Sequence, residues 1–292
     1  MSVLDKFRIL LQRIEPLGTE LANASSHASS IKTRLEQEFG LKKFIKIGSH
    51  SRNTAIRHYS DVDFLVVFPR DEVKWGTSWK QSSVLLKKVR DSVLGRYSQT
   101  VVRRDQQAVV VEFGKGEHSV DIVPGWYWAA GVSNYPIYAI PDGGDWWLNT
   151  SPEIHNKYIN RVNEKSAYQL RRMVQLVKYW RFCRTPSISI SSFHLELLLA
   201  FEGICVGAKS YAQCLTETFQ LLARRECRGL QDPLKISGTV SAVSTEAYRG
   251  SACKAVNTAY YHALKAFEAE MNGKTTEAYR QWDIVFNGKF PK

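Results

Sequence analysis

The chain has 292 residues, 44% hydrophobic and 23% charged, with 40 lysines and arginines against 28 acidic residues and a formal net charge of +12. This composition supports a sizeable buried core in one large domain or two lobes and excludes a disordered or low-complexity chain. The lack of any apolar run of about 18 residues excludes a membrane-spanning helix, and the positive surplus points to anionic partners: nucleic acid, an acidic membrane surface or polyphosphate substrates.

The stretch from 4 to 39 has helical spacing and breaks near Pro16-Leu17-Gly18 into two helices. Asp5, Lys6, Arg8 and Arg13 interrupt the first, which reads as amphipathic and lacks the apolar centre of a secretion signal. The period then shortens: 43–47, 62–68, 99–103, 108–113 and 119–123 are rich in Val, Ile and Phe and read as strands, with a hairpin predicted over 114–117. A helix is predicted over 78–94 between them.

After Pro141-Asp142-Gly143-Gly144 the pattern turns helical again over 152–163, 165–182, 192–206, 211–227 and 245–271. The predicted fold class is α+β and bilobed, with a mixed β-sheet catalytic core over 1–141, a helical lobe over 142–292 and a substrate cleft between them. Cys183, Cys205, Cys214, Cys227 and Cys253 are odd in number and never spaced C-x-x-C, as expected of free thiols in a reducing cytoplasm. Basic clusters such as Arg103-Arg104 and Arg224-Arg225-Arg228 are scattered, as solvated faces are.

Chemistry concentrates at Asp61-Val62-Asp63. On a strand, alternate side chains share a face, so Asp61 and Asp63 point one way while Val62, Phe64 and Val66 fill the other. Two carboxylates so close repel unless one is protonated or a cation lies between them. Oxygen ligands without nearby Cys or ligating His favour Mg²⁺. A two-ion site needs a third carboxylate, and Asp121, set in the apolar run Ser-Val-Asp-Ile-Val, offers one. Upstream, Gly48-Ser49 closes a strand where backbone N–H groups and a hydroxyl can approach phosphate oxygens. The plainer alternatives are water-facing strand-edge charges for Asp61 and Asp63, and an ordinary ion pair for Asp121.

The pattern Ile47-Gly48-Ser49, Asp61-Val62-Asp63-Phe64 and Asp121 resembles the DNA polymerase β-type nucleotidyltransferases. More narrowly, GSHSRNTAIRHYSDVDFLV with SVDIVPG is similar to the bacterial cGAS/DncV-like nucleotidyltransferases (CD-NTases), and EAYRQWDIVFNGKFP looks like that family's terminal motif. The resemblance implies synthesis of a cyclic di- or trinucleotide second messenger from ATP, GTP, UTP or CTP in anti-phage defence, with a separate effector protein reading the product. It implies Asp61, Asp63 and Asp121 as catalytic ligands of two Mg²⁺ ions, with Mn²⁺ as a substitute. Gly48, Ser49, Lys178 in LVKYW and Ser192 in SSFHLELLL become the triphosphate contacts.

Plain readings of the last two are a solvent-facing cation and an N-cap. The zinc insertion of the animal relative has no counterpart, because no cysteine lies near His50 or His58. Gly273-Lys274-Thr275 is a helix end lacking the first glycine of a P-loop. Trp126, Tyr127, Trp128, Trp146 and Trp147 are either core or base-stacking rings at the cleft. Nucleic acid is not required by this reading, although the charge of +12 would suit it. The alternative enzyme acts on RNA ends, linear oligonucleotides or a small-molecule acceptor; outside enzymes, the alternative is a binding module.

Overall fold

Helix α1 (Val3–Ile14) begins at a capping box, in which Ser2 Oγ accepts from the Asp5 N–H and the Asp5 carboxylate accepts from the Ser2 N–H at 2.9 Å. The computed structural model that shows this describes residues 1–114, 117–131 and 134–292, and the backbone alone at 19–21. After α2 (Gly18–Phe39) come β1 (Lys43–Lys46), the single turn α3 (Gly48–Ser51) and β2 (Val62–Phe68). A small hairpin, β3 (Lys74–Trp75) and β4 (Ser78–Trp79), leads into α4 (Ser82–Arg96), β5 (Val101–Asp105), β6 (Ala108–Glu112) and β7 (Val120–Ala130). Then follow β8 (Pro136–Pro141) and β9 (Trp147–Thr150).

The rest is helical: α5 (Pro152–Lys165), α6 (Gln169–Phe182), α7 (Ser192–Phe201), α8 (Tyr211–Arg224), the short pair β10 (Leu230–Gln231) and β11 (Thr239–Val240), α9 (Glu246–Met271) and α10 (Thr275–Val285). No helix among the described residues is long and apolar enough to cross a membrane.

The seven-stranded mixed sheet runs β1-β2-β7-β6-β5, with β8 on the far half of β7 and β9 beyond it. Only the β2–β7 pairing is parallel among the described strand pairs. Strand alternation sorts the side chains: Val62, Phe64, Val66 and Phe68 join Ile31 and Leu35 of α2 and Leu85, Val89 and Val93 of α4 in one core. Leu65, Val67 and Val123 face the other way with Tyr138 and Ile140. Asp63 and Asp121 share that second face by the same alternation.

Several elements depart from the sequence reading. Residues 78–79 belong to the β3–β4 hairpin, where Trp79 stacks on Trp126 with centroids 4.0 Å apart, and the helix begins only at Ser82. Strand β7 continues through Pro124-Gly125, which had read as a stop. Gly125 is needed there because a Cβ would lie 2.8 Å from the Ala139 carbonyl of β8. Strands β6 and β7 pair antiparallel, and the turn predicted between them over 114–117 includes 115 and 116, which lie outside the described residues.

The expected lobe boundary at 141/142 falls inside the sheet, since β9 pairs with β8 from Pro141↔Trp147 to Tyr138↔Thr150. Helix α1 also leaves the sheet domain. Its apolar stripe, Val3, Phe7, Leu10 and Ile14, is part of the helical lobe's core, with Phe7 5.1 Å from Trp282 and 5.0 Å from Phe290.

A buried charge cluster joins the two lobes. Glu196 on α7 accepts from Arg52 Nε, from Lys178 Nζ on α6 and, at 2.9 Å, from Thr54 Oγ1. Burial pushes the Glu196 carboxyl up, but its two cations outweigh that and hold it at about 2. Lys178 goes the other way: burial lowers its ammonium more than Glu196 raises it, and Arg52 and Arg181 add smaller repulsions. Glu196→Gln would leave two buried cations without their anion, at a cost of about 3–5 kcal/mol. Thermal unfolding should show Tm lowered by roughly 5–15 °C, whereas a wild-type Tm would mean the cluster does not hold the lobes.

Candidate active site

The parallel register of β2 and β7 sets Asp63 directly beside Asp121 at the starts of both strands, about 4.8 Å apart across the backbone. Asp61 lies just before β2, and Ser119 just before β7 ties it in: Ser119 Oγ donates to Asp61 Oδ1 at 2.6 Å and lies 3.3 Å from Asp121 Oδ1. Asp61 is exposed, whereas Asp63 and Asp121 are half-buried. Burial raises the Asp63 carboxyl to about 6 against the pull of Arg52, with the Asp61 charge adding to the rise. Burial and the charges of Asp61 and Asp63 push Asp121 up to about 8, while the Ser119 hydroxyl opposes them.

Gly48 stands against this group. The Ile47 N–H donates to the Asp63 carbonyl at 2.9 Å, turning the chain so that a Cβ on Gly48 would lie 1.8 Å from Asp63 Oδ2. Its φ of +66° adds a second reason for glycine. Ser49 follows in the single turn α3, and its carbonyl accepts from Thr54 N–H at 3.0 Å. Beyond α3 the chain is fastened to the helical lobe: Gln175 Nε2 donates to the Ala55 carbonyl at 3.0 Å and Arg57 N–H to the Ile14 carbonyl at 2.7 Å. Ile56 is fully buried in the helical core.

Among the described residues, no three His, Cys, Asp or Glu side chains already close around one point. The donor set nonetheless fits a hard divalent cation: three carboxylates gather at one sheet end, and burial, with their mutual repulsion added, raises two of them far above the usual range. A cation among them would relieve that repulsion.

Lys178 and Ser192 take positions that neither plain reading describes. Lys178 is buried and not solvent-facing, donating to Glu196 and, at 3.1 Å each, to the carbonyl and hydroxyl of Thr54. Ser192 is the first residue of α7, while the capping side chain is Ser191, which accepts from the His194 N–H at 3.3 Å. Ser192 Oγ instead accepts from Arg181 Nη1 at 2.8 Å.

The aromatic residues lie elsewhere. Trp126 pairs in register with Phe68, at the opposite end of β2 from Asp63; five residues of strand separate it from Asp121 by about 17 Å. Trp126 is core, and Trp128 and Tyr127 are exposed beyond it. Sequence reasoning also missed Ser119, Arg52 and Glu196. Ser119 was open to the alternation argument used for Asp61 and Asp63, since it shares a strand face with Asp121, and a glutamate inside the apolar run HLELLL signals a buried partner.

The family described as Second Messenger Oligonucleotide or Dinucleotide Synthetase domain matches residues 1–163, which contain all three carboxylates. A probable cyclic nucleotide synthase of Bacillus cereus is 24% identical over 86% of this chain and 82% of its own length. A cyclic AMP-AMP-AMP synthase of Escherichia coli is 26% identical over 87% and 84%. Among solved structures, Escherichia coli CdnC with ATP superposes with a TM-score of 0.75 at 20% identity, covering 100% of this chain and 99% of that one. The Vibrio cholerae DncV cyclic AMP-GMP synthase gives a TM-score of 0.65 at 14% identity over 87% and 71%. With the family match spanning more than half of its length, the chain belongs to the Second Messenger Oligonucleotide or Dinucleotide Synthetase family of cGAS/DncV-like nucleotidyltransferases.

Proposed function

We propose that the chain joins nucleoside triphosphates into a cyclic di- or trinucleotide second messenger. The observation that carries this reading is the Asp63–Asp121 register, with Asp61 held by Ser119 and the Gly48 turn closed against Asp63. The names of the relatives, two of which are cyclic nucleotide synthases, support it. The product is a signal for a separate effector protein in cytoplasmic anti-phage defence.

In each transfer, the acceptor hydroxyl loses its proton and its oxygen bonds to the α-phosphorus of the donor. The bond from that phosphorus to the bridging oxygen breaks, and pyrophosphate leaves. Two Mg²⁺ ions, held by Asp61 and Asp63 with Asp121 completing one of them, supply Lewis-acid charge and a more acidic hydroxyl when bound. The chain's own residues position the reactants. Gly48 lets the backbone approach the phosphates, Ser49 and Ser192 present hydroxyls, and Lys178 contributes positive charge from within its cluster. Ser119 holds the Asp61 carboxylate beside the other two through its 2.6 Å hydrogen bond.

Incubation with all four ribonucleoside triphosphates and Mg²⁺, followed by phosphatase and mass analysis, should give a phosphatase-resistant product with the mass of a closed ring. Asp61→Asn and Asp63→Asn should each abolish it while the protein stays folded; full activity in either would remove that residue from the metal site. A product formed only after adding RNA or another acceptor would favour the alternative transferase. Gly48→Ala should reduce pyrophosphate release by about 100-fold, the order expected when a reacting group is displaced by an ångström. Retained turnover in Gly48→Ala would show that Asp63 does not depend on this close approach.

A further inference from the structure

Helix α6 carries two cations one turn apart, Lys178 and Arg181, which therefore share a face. Their circumstances differ. Lys178 has an anion, Glu196. Arg181 is half-buried beside Phe182, 4.9 Å from its ring centroid, and has no carboxylate partner among the described residues. Its Nε donates to the Ile188 carbonyl at 3.1 Å and its Nη1 to Ser192 Oγ at 2.8 Å. A guanidinium has five N–H donors, so others remain. Burial alone lowers it to about 10, with no neighbouring anion to raise it.

An unpaired cation taken out of water is costly unless an anion arrives. The neighbouring Arg184 shows the structural alternative: its guanidinium donates to the Trp180 and Val285 carbonyls at 3.1 and 2.9 Å, tying α6 to the end of α10. Arg181 instead points to a serine hydroxyl that can itself contact phosphate. It also lies near enough to Lys178 to lower that ammonium by repulsion, which ties it to the cluster fastened to Thr54, just past the Gly48-Ser49 turn.

We propose that Arg181, through its unused donors, grips the terminal phosphate of the donor nucleoside triphosphate, with Ser192 as its partner. This rests on the transferase reading above and adds to Lys178, whose ammonium is already paired with Glu196, a cation with donors still free. The planar fork suits a phosphate with two free oxygens.

The test is calorimetric binding of Mg²⁺-tripolyphosphate to the full chain, compared across wild type, Arg181→Gln and Arg280→Gln. Arg280 is an exposed arginine paired with Glu277 and serves as the charge control. Arg181→Gln should weaken binding about tenfold or more, as expected for loss of a charge-assisted contact, and Arg280→Gln should bind as wild type does. Equal binding by wild type and Arg181→Gln overturns the role of Arg181 alone, and equal weakening by both variants overturns it as mere bulk charge. Failure of the wild type to bind tripolyphosphate overturns the donor-site reading and Arg181 with it. Arginine labelling of the wild type by phenylglyoxal tests the same point without a variant: the probe should protect Arg181 and leave Arg280 reactive, and equal labelling of Arg181 with and without probe overturns the assignment.

Discussion

The parallel pairing of β2 with β7 is the constraint on which the site depends. A slip of one residue would bring Asp63 beside an apolar side chain and turn the whole alternating set to the wrong face. The register is held by burial on both sides, Val62, Phe64 and Val66 against α2 and α4, Leu65 and Val67 against the opposite layer. Parallel strands also require a long connection, and here α4, β5 and β6 supply it. Apolar packing thus forces together carboxylates that would separate if free to do so. Burial chiefly, and this crowding in addition, raises the Asp63 and Asp121 carboxyls. Local inconsistency of this kind, tolerated because the surrounding fold over-determines it, is what a functional site is expected to show.

The second constraint is the chain between Gly48 and Arg57. It leaves the sheet against Asp63, passes Arg52 and Thr54 into the charge cluster, buries Ile56 among the helices and bonds to Ile14 of α1. One short segment therefore fixes the carboxylates, the turn beside them and the helical lobe relative to one another. Helix α1 belongs to the helical core for the same reason: its apolar stripe finds its partners there, and the segment after α3 is docked onto its end.

How much of this was legible follows from what each feature depends on. Strand β2 was readable to the residue because its apolar run has sharp polar borders, and the shared face of Asp61 and Asp63 followed from period two alone. Strands β8 and β9 were missed because proline, glycine and aspartate flank them, and their strand character comes from pairing with β7 and not from their own pattern. Of the two readings open for the aromatic residues, core holds for Trp126, because strand length carries it to the far end of the sheet from the carboxylates. Lys178 was visible as a residue, but Glu196, which neutralises it, is a tertiary partner from another helix. Asp61, Asp63 and Asp121 needed only local geometry to be proposed; Ser192 and its contact with Arg181 needed the fold.

The distribution of charge bears on the surplus of +12. On the surface, many basic residues are already matched: Arg103 with Asp105 and Glu112, Lys88 with Glu72, Arg225 with Glu202 and Arg249 with Glu246. Exposed pairs of this kind contribute little stability and leave little unscreened field. At the lobe junction the balance is different. Arg52, Lys178 and Arg181 are three cations against the single carboxylate of Glu196, and the first two act on Asp63. Water is partly excluded there, so each charge is felt more strongly than on the open surface. Such a site has an acidic half that calls for cations and a basic half that calls for anions, which is the charge pattern of a metal-bound polyphosphate. The junction holds only a small part of the surplus of +12, yet its separation of charge, and not the overall sum, is what suits a small polyphosphate.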